Sequence, residues 1–121
     1  MKNGTQFTVY LQTEQKFYFR KAGELARENR KDEANMAKIR ANVFGIFANV
    51  IQTAESEFPE NELSFVREQI EKIPGAWQES LSAAELHNDY VKVMNERIKL
   101  DAIIEIKKNF LRIVEGSNND S

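Results

Sequence analysis

Residues 90–115, YVKVMNERIKLDAIIEIKKNFLRIVE, decide the fold of this chain. At about 100° per residue, helical spacing sorts their apolar side chains into two stripes on opposite sides of one helix. The first stripe comprises Val91, Ile98, Ala102, Ile106 and Ile113, and the second comprises Val93, Leu100, Ile104 and Leu111. A surface helix of a small bundle needs one apolar face, so we expect this helix to be covered on two sides, by its own fold or by a partner.

The segments before residue 90 also follow the helical period. Apolar stripes run through residues 5–29, 33–55 and 58–73, and Pro74-Gly75 interrupts the third of them. The run from Thr5 to Leu11 alternates like a strand, but no other segment offers a strand partner, so we favour a helix there. We therefore predict an all-α fold: a helical bundle of four main helices, with the third helix broken at Pro74. Residues 1–115 are expected to form a single helical domain, and residues 116–121 a disordered tail.

Composition is that of an ordinary globular chain with one core. The 121 residues are 41% hydrophobic and 30% charged, and the net charge is −2. No run of residues approaches the roughly 18 consecutive apolar side chains of a membrane span, and the first residues lack the apolar segment of a secretory signal. The chain has no cysteine, which fits a reducing compartment, so we expect a cytoplasmic protein that makes no contact with membranes.

Catalytic chemistry is examined by elimination. The only histidine, His87, has Ala84 three residues before it, which excludes the Glu-x-x-His pairs of carboxylate-bridged metal sites in bundles. The five glycines are isolated, so no phosphate-binding loop is present, and no Gly-x-Ser-x-Gly motif occurs. We expect His87 to be a turn or helix-capping residue. The sequence thus predicts a protein that is not an enzyme and that has no catalytic, metal-binding or cofactor-binding residues.

Charge is distributed unevenly along the chain. Arg27, Arg30 and Lys31 cluster at the predicted tip of the first helical hairpin, where a basic patch could contact phosphate. A regulator that contacts nucleic acid through this hairpin is therefore one alternative function. The isoelectric point of about 5.5 argues against nucleic acid as a partner and favours a solvated surface.

Two charged residues interrupt apolar stripes. Glu14 lies between Leu11 and Tyr18 on the first predicted helix, and Arg40 lies before Val43 on the second. Each is a candidate for an internal ion pair or a polar ligand contact, because buried charges are costly unless they are paired. The alternative is that both side chains extend to solvent from the edge of the core. Antiparallel hairpin geometry argues against a direct pair between the two.

Association is the function that the doubled apolar face favours. We predict a non-enzymatic protein–protein interaction or self-association module, most simply a homodimer, with Val93, Leu100, Ile104 and Leu111 as the contact stripe. Phe19 is added to this candidate interface, because it cannot share the core face of its helix with Phe17 and Tyr18. A third alternative is a carrier of a small apolar ligand, with a pocket between helices lined by Phe44, Phe47 and Trp77.

Overall fold

The computed structural model describes residues 3–115, and every regular element in that range is helical. Its helices are α1 (Gly4–Arg27), α2 (Lys31–Glu57), α3 (Glu62–Lys72), α4 (Pro74–Leu86) and α5 (Tyr90–Phe110). A single π-helical segment, Leu111–Glu115, continues α5. The predicted all-α bundle is confirmed, and Thr5 to Leu11 is part of α1. The tail predicted for residues 116–121 lies outside the described residues.

The helical path is interrupted at Pro74, as the sequence predicts. Ile73 joins α3 to α4 and keeps helical backbone angles, with φ −58° and ψ −42°. Proline has no backbone N–H to donate and clashes with the preceding turn, so one helix cannot continue through it, whereas the first position of a new helix accepts it. Together α3 and α4 form the third of the four main helices.

Side-chain contacts define the direction of each helix. Tyr10 of α1 contacts Asn109 of α5, and Asn3, just before α1, donates its side-chain N–H to the carbonyl of Ile113 at 3.0 Å. Later residues of α1 thus contact earlier residues towards the end of α5, so these two helices are antiparallel. The α1–α2 turn reverses the chain at Asn29, whose φ of 64° is left-handed and suits asparagine.

Ion pairs place α3 beside the end of α5. Arg67 pairs with Glu115, and Glu71 pairs with Lys107 at 2.5 Å. The two helices are therefore antiparallel, and the main helices alternate in direction along the chain. This is the up-down-up-down order of a simple helical bundle.

Aromatic side chains fill the centre of the bundle. Phe7, Phe44, Phe47 and Phe110 are fully buried, and the rings of Phe7 and Phe110 meet edge to face with centroids 5.3 Å apart. Each large buried ring removes much apolar surface from water, so this cluster dominates the stability of the fold. A second, smaller cluster near the hairpin tip consists of Ala22, Leu25, Ala34 and Ala37.

The fold covers the last helix unevenly. It packs against α2 and α4, but no residue of the second stripe is fully buried, so the covering of that stripe by a partner stays a prediction. On the first stripe, Ala102, Ile106 and Ile113 are buried, but Val91 is 72% exposed. Val91 borders an open groove beside Asp32 and Asn35 of α2, where these short polar side chains do not cover it.

Residue preferences alone do not locate every helix boundary. Aspartate is favoured at N-caps, but Asp32 lies in the first turn of α2, and the capping position is Arg30. Proline is favoured at the first position of a helix, but Pro59 lies in a turn that Phe58 closes by accepting the N–H of Asn61 at 2.9 Å, and α3 begins at Glu62. Asp89 follows its preference: it caps α5 and accepts the backbone N–H of Lys92.

Candidate functional site

The outer face of α5 carries large apolar side chains that the fold leaves uncovered. Ile104 is 66% exposed and Leu111 is 44% exposed. The other two members of the predicted contact stripe, Val93 and Leu100, are half-buried, and Leu100 packs against the main core. The stripe is therefore divided: its first half is covered by the fold, and Ile104 and Leu111 remain at the surface.

A groove runs directly beside Ile104, between α5 and the break at Pro74. Its apolar lining comes from three helices and consists of Ile70, Pro74, Leu100, Ile103 and Ile104 itself. The ion pair between Glu71 and Lys107 borders one end, and Gln78 borders another side. An exposed apolar side chain thus stands next to an apolar concavity, an arrangement typical of interaction surfaces.

Charged residues share the outer face with Ile104. Asp101 and Lys108 lie three residues before it and four residues after it, so helical spacing places all three on one side of α5. The Asp101 side chain is mostly exposed, although it lies 3.8 Å from a guanidinium nitrogen of Arg40. Arg97 lies seven residues before Ile104 and pairs with Glu85 of α4 at 3.2 Å. The face therefore combines a central apolar residue with flanking charges of both signs.

Phe19 does not join this surface. It lies nine residues from Tyr10 on α1, which at 100° per residue places it half a turn from the side that contacts α5. Phe19 instead borders a groove between α1 and α2 that is also lined by the small residues Ala22 and Gly23. The structure therefore does not bring Phe19 together with Ile104 and Leu111.

A polar cluster fills the contact between α1, α2 and α5. The Arg40 guanidinium donates a hydrogen bond to Glu105 at 2.6 Å and lies over the ring of Tyr18, 5.3 Å from its centroid. Burial acts to lower the pKa of Arg40, but the hydrogen bonds and charges of Glu105 and Tyr18 together raise it above its ordinary value. The Nε atom of Arg40 is buried and makes no hydrogen bond. The sequence predicts an ion pair for Arg40 but not its partner, although Asp101 and Glu105 show the i, i+4 spacing of two carboxylates on one helix face.

Glu14 lies close to this cluster without a direct bond to Arg40 among the described ion pairs. Burial and the nearby Glu105 carboxylate raise the pKa of Glu14, and Arg40 acts to lower it. Burial also raises the pKa of Tyr10, and Glu105 and Glu14 raise it further. The hydroxyl of Tyr10 accepts a hydrogen bond from Asn109 at 3.0 Å. The cluster is thus a junction of three helices in which Glu105 binds the guanidinium of Arg40 and Glu14 lies nearby without such a bond.

The predicted basic patch is partly neutralised. Arg30 pairs with both Glu28 and Glu33 across the α1–α2 turn, while Arg27 and Lys31 are exposed. A guanidinium that is held by two carboxylates presents little positive potential to a phosphate. This pairing favours the solvated-surface interpretation over a nucleic-acid contact.

The residues predicted to line an apolar pocket belong to the core. Phe44 and Phe47 are fully buried, and Trp77 is half-buried and packs against the same cluster. The ring of Phe44 contacts Tyr10 edge to face and stacks on Tyr18, so its surroundings are filled by other side chains.

One buried charge escaped the sequence analysis. Glu96 of α5 is almost fully buried; one oxygen accepts a hydrogen bond from Lys99 at 3.0 Å, and the other makes none. His87 is the C-cap of α4, as predicted. Within residues 3–115, no group of three or more acidic or histidine side chains is arranged to hold a metal ion. Over the same residues, each helix is too short or too polar to cross a membrane.

Comparison with known proteins yields no relative. No protein-family model, curated protein or solved structure matches the chain.

Proposed function

We propose that this protein is a non-enzymatic helical module that associates with a second copy of itself through the outer face of α5. The observation that carries the proposal is the position of Ile104, an exposed isoleucine beside an apolar groove. Leu111 continues the same face two turns later. The chain has no cysteine, and we propose that it works in a reducing compartment such as the cytoplasm.

Geometry favours a second copy as the occupant. A two-fold symmetric contact needs a surface that is complementary to itself. A projecting side chain and a concavity that lie side by side satisfy this condition, because each copy supplies the knob for the other's groove. Burial of Ile104 in such a groove would remove apolar surface from water at about 25 cal/mol per Å².

Absolute mass from light scattering tests the proposal. Over a concentration series, we expect the native chain to approach twice the 14.0 kDa mass of one chain. Ile104→Asp should stay monomeric and folded, because a carboxylate at the centre of the contact loses about 2 kcal/mol of association energy, roughly a 30-fold weaker dimer.

Val9→Asp is the matched control. Val9 is an apolar residue of α1 that is 55% exposed, and it is not on α5. If its mass series equals that of the native chain while Ile104→Asp remains monomeric, the effect belongs to the α5 face. A native chain that stays monomeric at every concentration would contradict the proposed function.

A further inference from the structure

We infer that the two copies pair with their α5 helices antiparallel, around a two-fold axis that passes close to Ile104. This inference rests on the proposed function and adds the orientation and register of the partner. It is carried by the charges that flank Ile104 and by the location of the apolar groove.

Charge disfavours the parallel alternative. In a parallel two-fold pair, residues on the central line of the contact meet their own copies, so Arg97, one heptad before Ile104, would meet Arg97. Like charges that are brought together at an interface are unfavourable. Asp101 and Lys108 lie on one flank of Ile104, so in this arrangement they would sit on opposite sides of the contact from their copies and gain no partner of opposite charge.

Antiparallel pairing places opposite charges next to each other across the contact. When the axis passes near Ile104, residues before it on one helix lie opposite residues after it on the other. Asp101 then lies beside Lys108 of the second copy, and the symmetry forms this pair twice. Both side chains are exposed in the single chain, and that of Asp101 also lies 3.8 Å from Arg40, within ion-pair distance.

The apolar contacts follow the same register. Ile104 of each copy meets the groove formed by Ile70, Pro74, Leu100 and Ile103 of the other, because the groove lies beside Ile104 at the axis. Arg97 lies opposite Leu111 of the second copy. The methylene groups of the arginine side chain can cover the leucine while its guanidinium remains paired with Glu85.

Cysteine cross-linking measures the orientation directly, since the native chain has no cysteine. An equimolar mixture of Arg97→Cys and Leu111→Cys should form a mixed disulfide under mild oxidation. Leu111→Cys alone should form at least tenfold less disulfide dimer, because the two copies of position 111 lie at opposite ends of the contact. Ile104→Cys, at the axis, should cross-link to itself, and Val9→Cys gives the background of random collision.

Charge reversal gives an independent measurement on uncross-linked protein. Asp101→Lys and Lys108→Asp should each weaken self-association roughly tenfold, because two attractive pairs become two repulsive ones. An equimolar mixture of the two variants should recover the native dimer mass, since every pair across the mixed dimer is then attractive. Lys108→Asp also leaves the contact between Asp101 and Arg40 in place, so its result does not depend on that internal contact.

The outcomes separate the two claims. A native chain that is monomeric in light scattering overturns the proposed function and this inference with it. A native dimer in which Leu111→Cys cross-links to itself as efficiently as Ile104→Cys overturns the antiparallel orientation alone. A native dimer whose charge variants fail to recover on mixing overturns the register.

Discussion

Two consecutive isoleucines of α5 should respond very differently to the same substitution. Ile103 is 7% exposed and Ile104 is 66% exposed, although they are neighbours on one helix. Changing isoleucine to alanine removes three carbons, worth about 2.4 kcal/mol when they are fully buried. Both variants gain about 0.4 kcal/mol from the higher helix propensity of alanine, so any difference between them reports burial.

The expected magnitudes follow from these fractions. Ile103→Ala loses nearly all of the transfer energy and also leaves a cavity, so the free energy of unfolding should fall by about 3 kcal/mol. Ile104→Ala loses only about a third of the transfer energy, about 0.8 kcal/mol, and regains about 0.4 kcal/mol from helix propensity. Its free energy of unfolding should therefore fall by about 0.4 kcal/mol. The substitutions are chemically identical, which makes each the control for the other.

Urea denaturation followed by circular dichroism measures both losses, with protein dilute enough to keep the chain monomeric. At higher protein concentration, the difference in free energy of unfolding between the native chain and Ile104→Ala should increase, because dimerisation then stabilises the native chain. Equal losses for the two variants in dilute solution, or a larger loss for Ile104→Ala, would refute the assigned burial of this helix.

Three further predictions concern the remaining contacts of the described chain. A double-mutant cycle of Arg40→Met and Glu105→Gln should give a coupling energy of about 1 kcal/mol, and a coupling near zero would show that the 2.6 Å bond contributes nothing. Glu14→Gln should stabilise the fold at neutral pH, because folding raises the pKa of Glu14. The protonated Glu14 side chain therefore contributes fully to the free energy of unfolding below the ordinary glutamate pKa of about 4.3. This contribution is lost as the pH rises through the pKa of Glu14 in the folded protein. Urea midpoints of the two proteins should therefore converge in acid, and a constant difference from pH 3 to pH 8 would contradict the assigned shift. Gly45→Ala should raise the melting temperature through about 1 kcal/mol of helix propensity, because the added methyl meets only the flexible end of Gln15, and a lowered melting temperature would mean that Gln15 cannot move aside.

Much of the fold could be predicted because hydrophobic periodicity encodes which side of a helix is buried. The period of residues 90–115 correctly indicated a helix, although the fold leaves Ile104 and Leu111 of its second stripe exposed. Pro74 correctly indicated a break, since the missing N–H is a purely local property. The cap at Asp89 is local in the same way, because an N-cap bond involves only residues within one turn.

Periodicity cannot show how far along a helix a neighbour extends. Val91 follows the same stripe as Ile106, yet Val91 is exposed and Ile106 is fully buried, because an open groove separates Val91 from the first turns of α2. A single sequence also does not show which charged residues on different helices will form ion pairs. Arg40 and Glu105 are 65 residues apart, and only the packing of α2 on α5 brings them together.

The candidate interaction surface was only partly predictable for the same reason. Ile104 and Leu111 belong to the predicted stripe, but the adjoining groove is built by Ile70 and Pro74 from elsewhere in the chain. Phe19 was grouped with them because it cannot share the core face of its helix with Phe17 and Tyr18, but the side of the bundle on which such a residue lies is set by tertiary packing.

The hydrogen bond from Asn3 to the carbonyl of Ile113 spans 110 residues of sequence. Hairpins such as α1–α2 and α4–α5 close short loops, so they can form early, whereas a contact of such high sequence separation must form late in folding. The first turn of α1 and the π segment therefore depend on each other for order. When either end opens, the other loses its partner, so amide protons at both ends should exchange with solvent at similar rates, as one cooperative unit.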